Sequence, residues 1–242
     1  MGPPKKVNMA AIVRAAGGRF STELGIKLRP RQPDEIFKWF LASILFGARI
    51  SASLAARTYR EFEQEGLSSA AKITARGWNG LVAVLDAGGY ARYDFKTATK
   101  LLEISNNLTQ SYGGDLNRLH QSANDPADLE ARLKALGKGI GDVTVNIFLR
   151  ELRGIWEKAE PLPMPLVIAA AKEQGLVPKN LADRRRALAI LRQRWEAERS
   201  KSMDFADLEA ALVRRGLSGR KKSAPSLPRS SDRRRLTGTQ SA

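Results

Sequence analysis

Residues 133 to 152 read LKALGKGIGDVTVNIFLREL, and this stretch constrains the fold more than any other. Leu129, Leu133 and Leu136 recur at helical spacing before the glycines. Val145, Phe148, Leu149, Leu152 and Ile155 do so after them, while Asn146, Arg150 and Arg153 point elsewhere on the same pattern. Between the two stripes stand Gly137, Lys138, Gly139, Ile140 and Gly141. Three glycines in five positions carry a conformational-entropy cost that a tight bend or a close backbone approach accounts for. Two helices therefore pack by their apolar faces across a very short turn. Asp125 caps the first of them and Pro126 takes its first helical position.

The remainder of the chain repeats the helical period and nowhere alternates as a strand would. PDEIFKWFLASILF, from Pro33, has almost no polar face and reads as a helix buried on nearly all sides. Ser51 caps a second helix that Gly66 ends. Residues 68–89 read as two short helices separated near Gly77, and a long helix with Ala98, Leu101, Ile104 and Leu108 on one face stops at Gly113 and Gly114. PLPMP marks a break after Glu160, and three more helical segments follow it. The fold class expected is all-α, with about ten helices.

Composition removes several kinds of chemistry. Cysteine is absent, which excludes disulfides, thiolate zinc sites, iron–sulfur clusters and cysteine nucleophiles. His120 is the sole histidine, so no metal site of Cys/His type is expected. No run approaches the ~18 to 20 apolar residues of a membrane span. The apolar run near the N-terminus is broken by Arg14 and is too weak for a signal peptide. The expectation is a cytoplasmic protein, at the nucleoid in a bacterium, with no membrane partner.

The net charge of +16 points to a polyanion, and its distribution says where. Residues 1–32 hold seven Lys/Arg against Glu23, and residues 214–242 hold nine against Asp232. The 181 residues between them are nearly balanced, with 25 basic and 23 acidic side chains. The C-terminal run GRKKSAPSLPRSSDRRRLTGTQSA has the composition of a disordered tail, serving either as a solubilising segment or as a DNA-tethering arm.

A glycine turn leaves backbone N–H groups uncovered at the start of the second helix, where the helix dipole is positive. Gly139 and Gly141 let an anion approach, Lys138 adds charge and Thr144 a hydroxyl, which makes a phosphate site. An ordinary helix-turn-helix corner uses glycine as well.

The order of these pieces, ending in L-x-x-L-G-K-G-I-G-x-x-T-x-x-x-F-L-R-E-L, resembles the helix-hairpin-helix superfamily of DNA glycosylases, over about residues 33 to 168. The resemblance implies an endonuclease III-like fold of two helical subdomains with a base-binding cleft between them. Its expected organisation is a basic N-terminal arm over 1–32, a glycosylase-like subdomain over 33–154 ending in the hairpin, a C-terminal helical subdomain over 155–216, and a basic disordered tail over 217–242. It further implies a phosphate grip at Lys138, Gly139, Ile140, Gly141 and Thr144, with a monovalent cation at the hairpin as the one possible cofactor. Duplex DNA is the implied partner of a monomeric protein.

The chain also departs from that family. Val143 stands where bifunctional members place a lysine nucleophile, so lyase chemistry by that lysine is not expected. Members carry an aspartate after the second hairpin helix. One alignment puts Glu160 and Pro161 there, and another, on LRGIWEKAEPLPMP, puts Met164 and Pro165. Glu160 is the candidate catalytic carboxylate, and Glu157 the next. Arg49 is the candidate to fill the gap left by a flipped base, and Phe37, Trp39, Phe40, Tyr90, Tyr93 and Trp156 are either stacking residues or core. Two functions follow: a monofunctional DNA N-glycosylase of base-excision repair, or a catalytically silent helix-hairpin-helix DNA-binding protein. An all-α scaffold unconnected with DNA is the third class.

Overall fold

At the centre lies α3, Pro33–Phe46, and nine of its residues from Ile36 to Leu45 are buried, as its unbroken apolar composition requires. The structure is a computed structural model that describes residues 8–92, 94–198 and 202–223. Among these the chain is all-α, with twelve helices and no strand. No helix among them is long and apolar enough to cross a membrane.

Around α3 run α4, Ala52–Gln64, capped by Ser51, then α5, Ala70–Ala87, and α6, Asp94–Tyr112. Gly77, at φ +69°, splits α5 into the two segments the sequence predicts. α6 ends at Gly113 and Gly114, both left-handed. The short α7, Leu116–Ser122, leads to α8, Pro126–Ala135, whose Asp125 accepts the amide of Asp128 as an N-cap. α9, Asp142–Leu152, follows the hairpin and packs on α3, where Trp39 Nε1 donates to the carbonyl of Phe148 at 3.0 Å. α10, Pro165–Glu173, α11, Arg184–Glu198, and α12, Phe205–Ser223, complete the described chain.

From residue 8 onward the N-terminal segment is packed and is not an arm; residues 1–7 of the expected arm lie outside the described residues. Residues 9–16 form α1 and residues 20–23 form α2, and Met9, Ile12, Val13, Phe20, Leu24, Ile26 and Leu28 enter the same core as α3. α1 packs on α12, so elements from opposite ends of the sequence meet. Two carboxylates hold the segment in place. Glu198 accepts the amides of Met9 and Ala10, and Glu151 those of Phe20 and Ser21, all at 2.8–2.9 Å. Each satisfies orphan donors at a helix N-terminus. Basic residues expected to face a polyanion are also consumed internally. Arg19 and Arg29 pair with Asp204, and Arg214 pairs with Glu23 while its guanidinium lies 3.9 Å from the centre of the Phe20 ring.

One continuous core joins all these elements across the expected boundary at residue 154. The tail expected from residue 217 is helical as far as Ser223, and its remainder lies outside the described residues.

Candidate nucleic-acid interface

The three glycines of the hairpin sit in three different settings. At Gly137 a Cβ would come within 2.8 Å of Ile104 Cγ1, so the close approach of α6 requires its absence. Gly139 has φ +87°, a left-handed value that favours glycine. Gly141 has φ −101° and open space where a Cβ would be, so the backbone there would accept any residue. Ile140 between them is buried and anchors the tip to the core.

Part of the expected phosphate grip is internally engaged. The Ile140 amide donates to the Gly137 carbonyl at 3.3 Å, and that of Lys138 to Glu103 Oε1 at 3.4 Å. Thr144 is 3% exposed and abuts Gly47 at the end of α3, so its hydroxyl is closed to a phosphate. What remains open is narrower than the motif. The amides of Gly139 and Gly141 have no partner among the described residues, and no side chain caps α9. An uncapped N-terminus of an eleven-residue helix concentrates the positive end of its dipole at these amides.

The surrounding charges are mixed. Lys138 is exposed at the tip, and Lys100 of α6 donates from Nζ to the carbonyl of Gly139 at 2.9 Å, its pKa pushed down by burial. That ammonium places a positive charge at the tip carbonyl of the hairpin, the turn where the resemblance implies a monovalent cation. Asp142 opens α9 and pairs with Lys134 at 2.5 Å, and the Lys134 ammonium holds its carboxyl below the usual range. Arg49 is exposed on the α3–α4 connection, two residues from Gly47, which itself abuts Thr144 in the first turn of α9. Between α5 and α6, Trp78 and Phe95 are 39% and 58% exposed, with ring centroids 5.2 Å apart, and Trp78 Nε1 donates to Thr99. The sequence pattern does not announce this aromatic pair. Its one signal is that both residues fall outside the apolar stripes of α5 and α6.

The aromatic residues considered for stacking are core instead: Phe37, Trp39, Phe40, Tyr90 and Trp156 are all buried. Tyr93 lies outside the described residues. Trp156 stacks on His120 at 4.7 Å and bonds Asn117, which occupies both its face and its N–H.

The fold brings Val143 together with one of the two alternatives for the aspartate position, Met164. Val143 and Met164 line one apolar cavity next to the hairpin, between the α3–α4 connection, α9, α10 and α12. Glu160 lines a different one, with Arg29, Arg192 and Asp204. It accepts from Arg153 at 3.0 Å and from Arg192, so two guanidiniums already neutralise it. Glu157 is exposed. Among the described residues no group of His, Cys, Asp and Glu could hold a metal ion.

Compared with family models, with curated proteins and with solved structures, the chain has no match in any of the three.

Proposed function

We propose that the protein binds duplex DNA through the hairpin between α8 and α9 and performs no glycosylase chemistry there. The observation that carries this reading is the pair of unbonded amides at Gly139 and Gly141 on an uncapped helix, with the exposed Lys138 between Gly137 and Gly139 in the turn. Oriented amides at a helix start favour a phosphate oxygen and carry no base preference, so the contact is one of position, not of sequence. A Cβ at Gly141 would meet no protein atom, and glycine there keeps the amides approachable.

The same proposal takes the α3–α9 framework as a divergent endonuclease III-like fold. Support comes from Val143 and Met164, distant in sequence yet sharing the cavity beside the hairpin. Base excision needs a carboxylate near the sugar as positive charge develops. In that cavity both positions are apolar, and the candidate carboxylate, Glu160, is bound elsewhere by Arg153 and Arg192.

The test is fluorescence anisotropy with a labelled duplex over a range of salt, together with a panel of lesion-bearing duplexes assayed for base release and for borohydride-trapped adducts. Expected are binding that weakens log-linearly with salt, no base release and no adduct. Deleting residues 224–242, which carry Arg229, Arg233, Arg234 and Arg235, should flatten the salt slope by about one unit for each phosphate no longer neutralised. Absence of duplex binding at low salt would refute the reading. Base release would move the protein to the monofunctional glycosylases.

A further inference from the structure

The apolar cavity beside the hairpin contains a buried charge whose Nε the fold leaves without a hydrogen bond among the described residues. Its volume is about 190 Å3, and Phe20, Phe46, Ile147, Met164, Leu166 and Val213 are among its walls. Among the described residues, Arg150 is the only charged one lining it. Sequence periodicity turns Arg150 away from the apolar stripe of α9, yet it is 3% exposed and its Nε has no hydrogen-bond partner among the described residues. The nearest carboxylate, Glu151, lies 3.9 Å away and is already engaged by the amides of Phe20 and Ser21. Phe20 adds only a distant ring face, 5.9 Å from the guanidinium carbon.

Arg153, three residues on and similarly buried, shows how differently this fold treats a structural guanidinium. Its nitrogens reach Glu209 at 2.6 and 3.3 Å, Glu160 at 3.0 Å and the Pro161 carbonyl at 2.6 Å. Buried polar groups in native proteins are almost always satisfied, and an exception calls for an explanation such as a ligand that completes the bonding. A guanidinium offers a planar fork matched to a carboxylate, and burial raises the strength of that pair well above its value in water. One cation balances one negative charge, which favours a carboxylate over a dianionic phosphate ester. The walls supply the rest of the recognition by covering an apolar body.

We propose that this cavity binds a small monocarboxylate with an apolar body, its carboxylate paired with Arg150 and its hydrocarbon against Phe46, Ile147 and Met164. Ala52, Val143 and Leu217, three exposed apolar residues, are among its lining and open it to solvent. The body can be aliphatic or aromatic, since the walls mix both kinds of side chain.

The experiment is titration calorimetry on the full chain without DNA, so that its outcome is separate from that of the DNA reading. Hexanoate and benzoate are compared with hexanamide and benzamide, which keep the shape and lose the charge. At least one acid is expected to bind tenfold or more tightly than its amide, the better of the two telling an aliphatic from an aromatic site. Arg150→Met should erase that preference, and Ile147→Trp, which fills the cavity, should abolish binding with Arg150 intact. Because Arg150→Met could disturb folding, the arginine Nε–H resonances of the wild-type protein are followed by NMR. One of them should shift with the acid and not with the amide. Equal affinities for acid and amide, no binding at millimolar concentrations, or a folded Arg150→Met variant that keeps the preference would each overturn the proposal.

Discussion

Lys100 and Gly139 are joined across the gap between α6 and the hairpin, the lysine Nζ donating to the glycine carbonyl at 2.9 Å. The bond holds the tip of the turn against α6 and sets a positive charge beside the open amides. We infer that this built-in ammonium can supply the positive charge that a bound ion would otherwise bring to the hairpin.

DNA affinity should therefore be the same in potassium, sodium and tetramethylammonium chloride at equal ionic strength. Lys100→Met removes the charge and keeps most of the stem, and should weaken duplex binding by about 1–1.5 kcal/mol, the scale of one charge-assisted hydrogen bond. Anisotropy in the three salts checks the first statement, and the variant in one of them checks the second. A wild-type affinity that depends on the cation would show that an ion, and not the lysine, completes the hairpin.

Gly139 and Gly141 should separate stability from binding. Gly139→Ala places a side chain at φ +87° and should cost about 1–2 kcal/mol in folding, visible as a lower urea midpoint. Gly141→Val meets open space at an ordinary φ and should leave stability within about 0.5 kcal/mol of wild type, yet reduce DNA affinity by covering the amides. Binding unchanged in Gly141→Val would remove those amides from the interface.

Glu151 caps α2 from the end of α9, and among the described residues no other group accepts the two amides it holds. Glu151→Ala should cost about 1–3 kcal/mol for each orphaned amide. The loss should be local first: hydrogen exchange at Phe20 and Ser21 should quicken before exchange in α3 does. Uniform acceleration through both would mean that the N-terminal segment and the centre unfold as one unit.

His120 should give folding a pH dependence. Burial, with Lys158 and Arg31 nearby, pushes its pKa below the usual 6.5, and its Nε2 accepts the Lys158 amide at 3.4 Å, which needs the neutral ring. As pH falls through about 6.5 the unfolded chain takes up the proton first, so stability declines from there down to the folded-state pKa and is level above and below that window. Melting temperatures measured between about pH 7 and pH 5 should fall, and His120→Gln should flatten the decline. As the single histidine it leaves little else to titrate in that range.

Much of the architecture is legible in the sequence because it is local. The cap at Asp125, the stops at Gly113 and Gly114, the kink at Gly77 and the burial of α3 all follow from residue type and helical period, and each appears in the structure. The departures have a common cause. The segment before Pro33 reads as an arm because its basic residues are conspicuous, but the carboxylates that anchor it lie at positions 151 and 198, far beyond any local window. Thr144 fits the hairpin motif by spacing, but whether its hydroxyl is open depends on Gly47, where an added Cβ would collide with Thr144 Oγ1.

The sequence by itself determined that this chain is helical, that two of its helices meet across a glycine turn, and that its ends carry the excess charge. Those are properties of backbone preference and composition, settled within a few residues of each position. Only the tertiary structure decided which of the charges are spent internally, which amides of the turn stay open, and that Arg150 turns inward into an apolar cavity with its Nε unpaired. Burial and hydrogen bonding are decided by neighbours remote in sequence, and no periodicity along one helix encodes what will be packed against it.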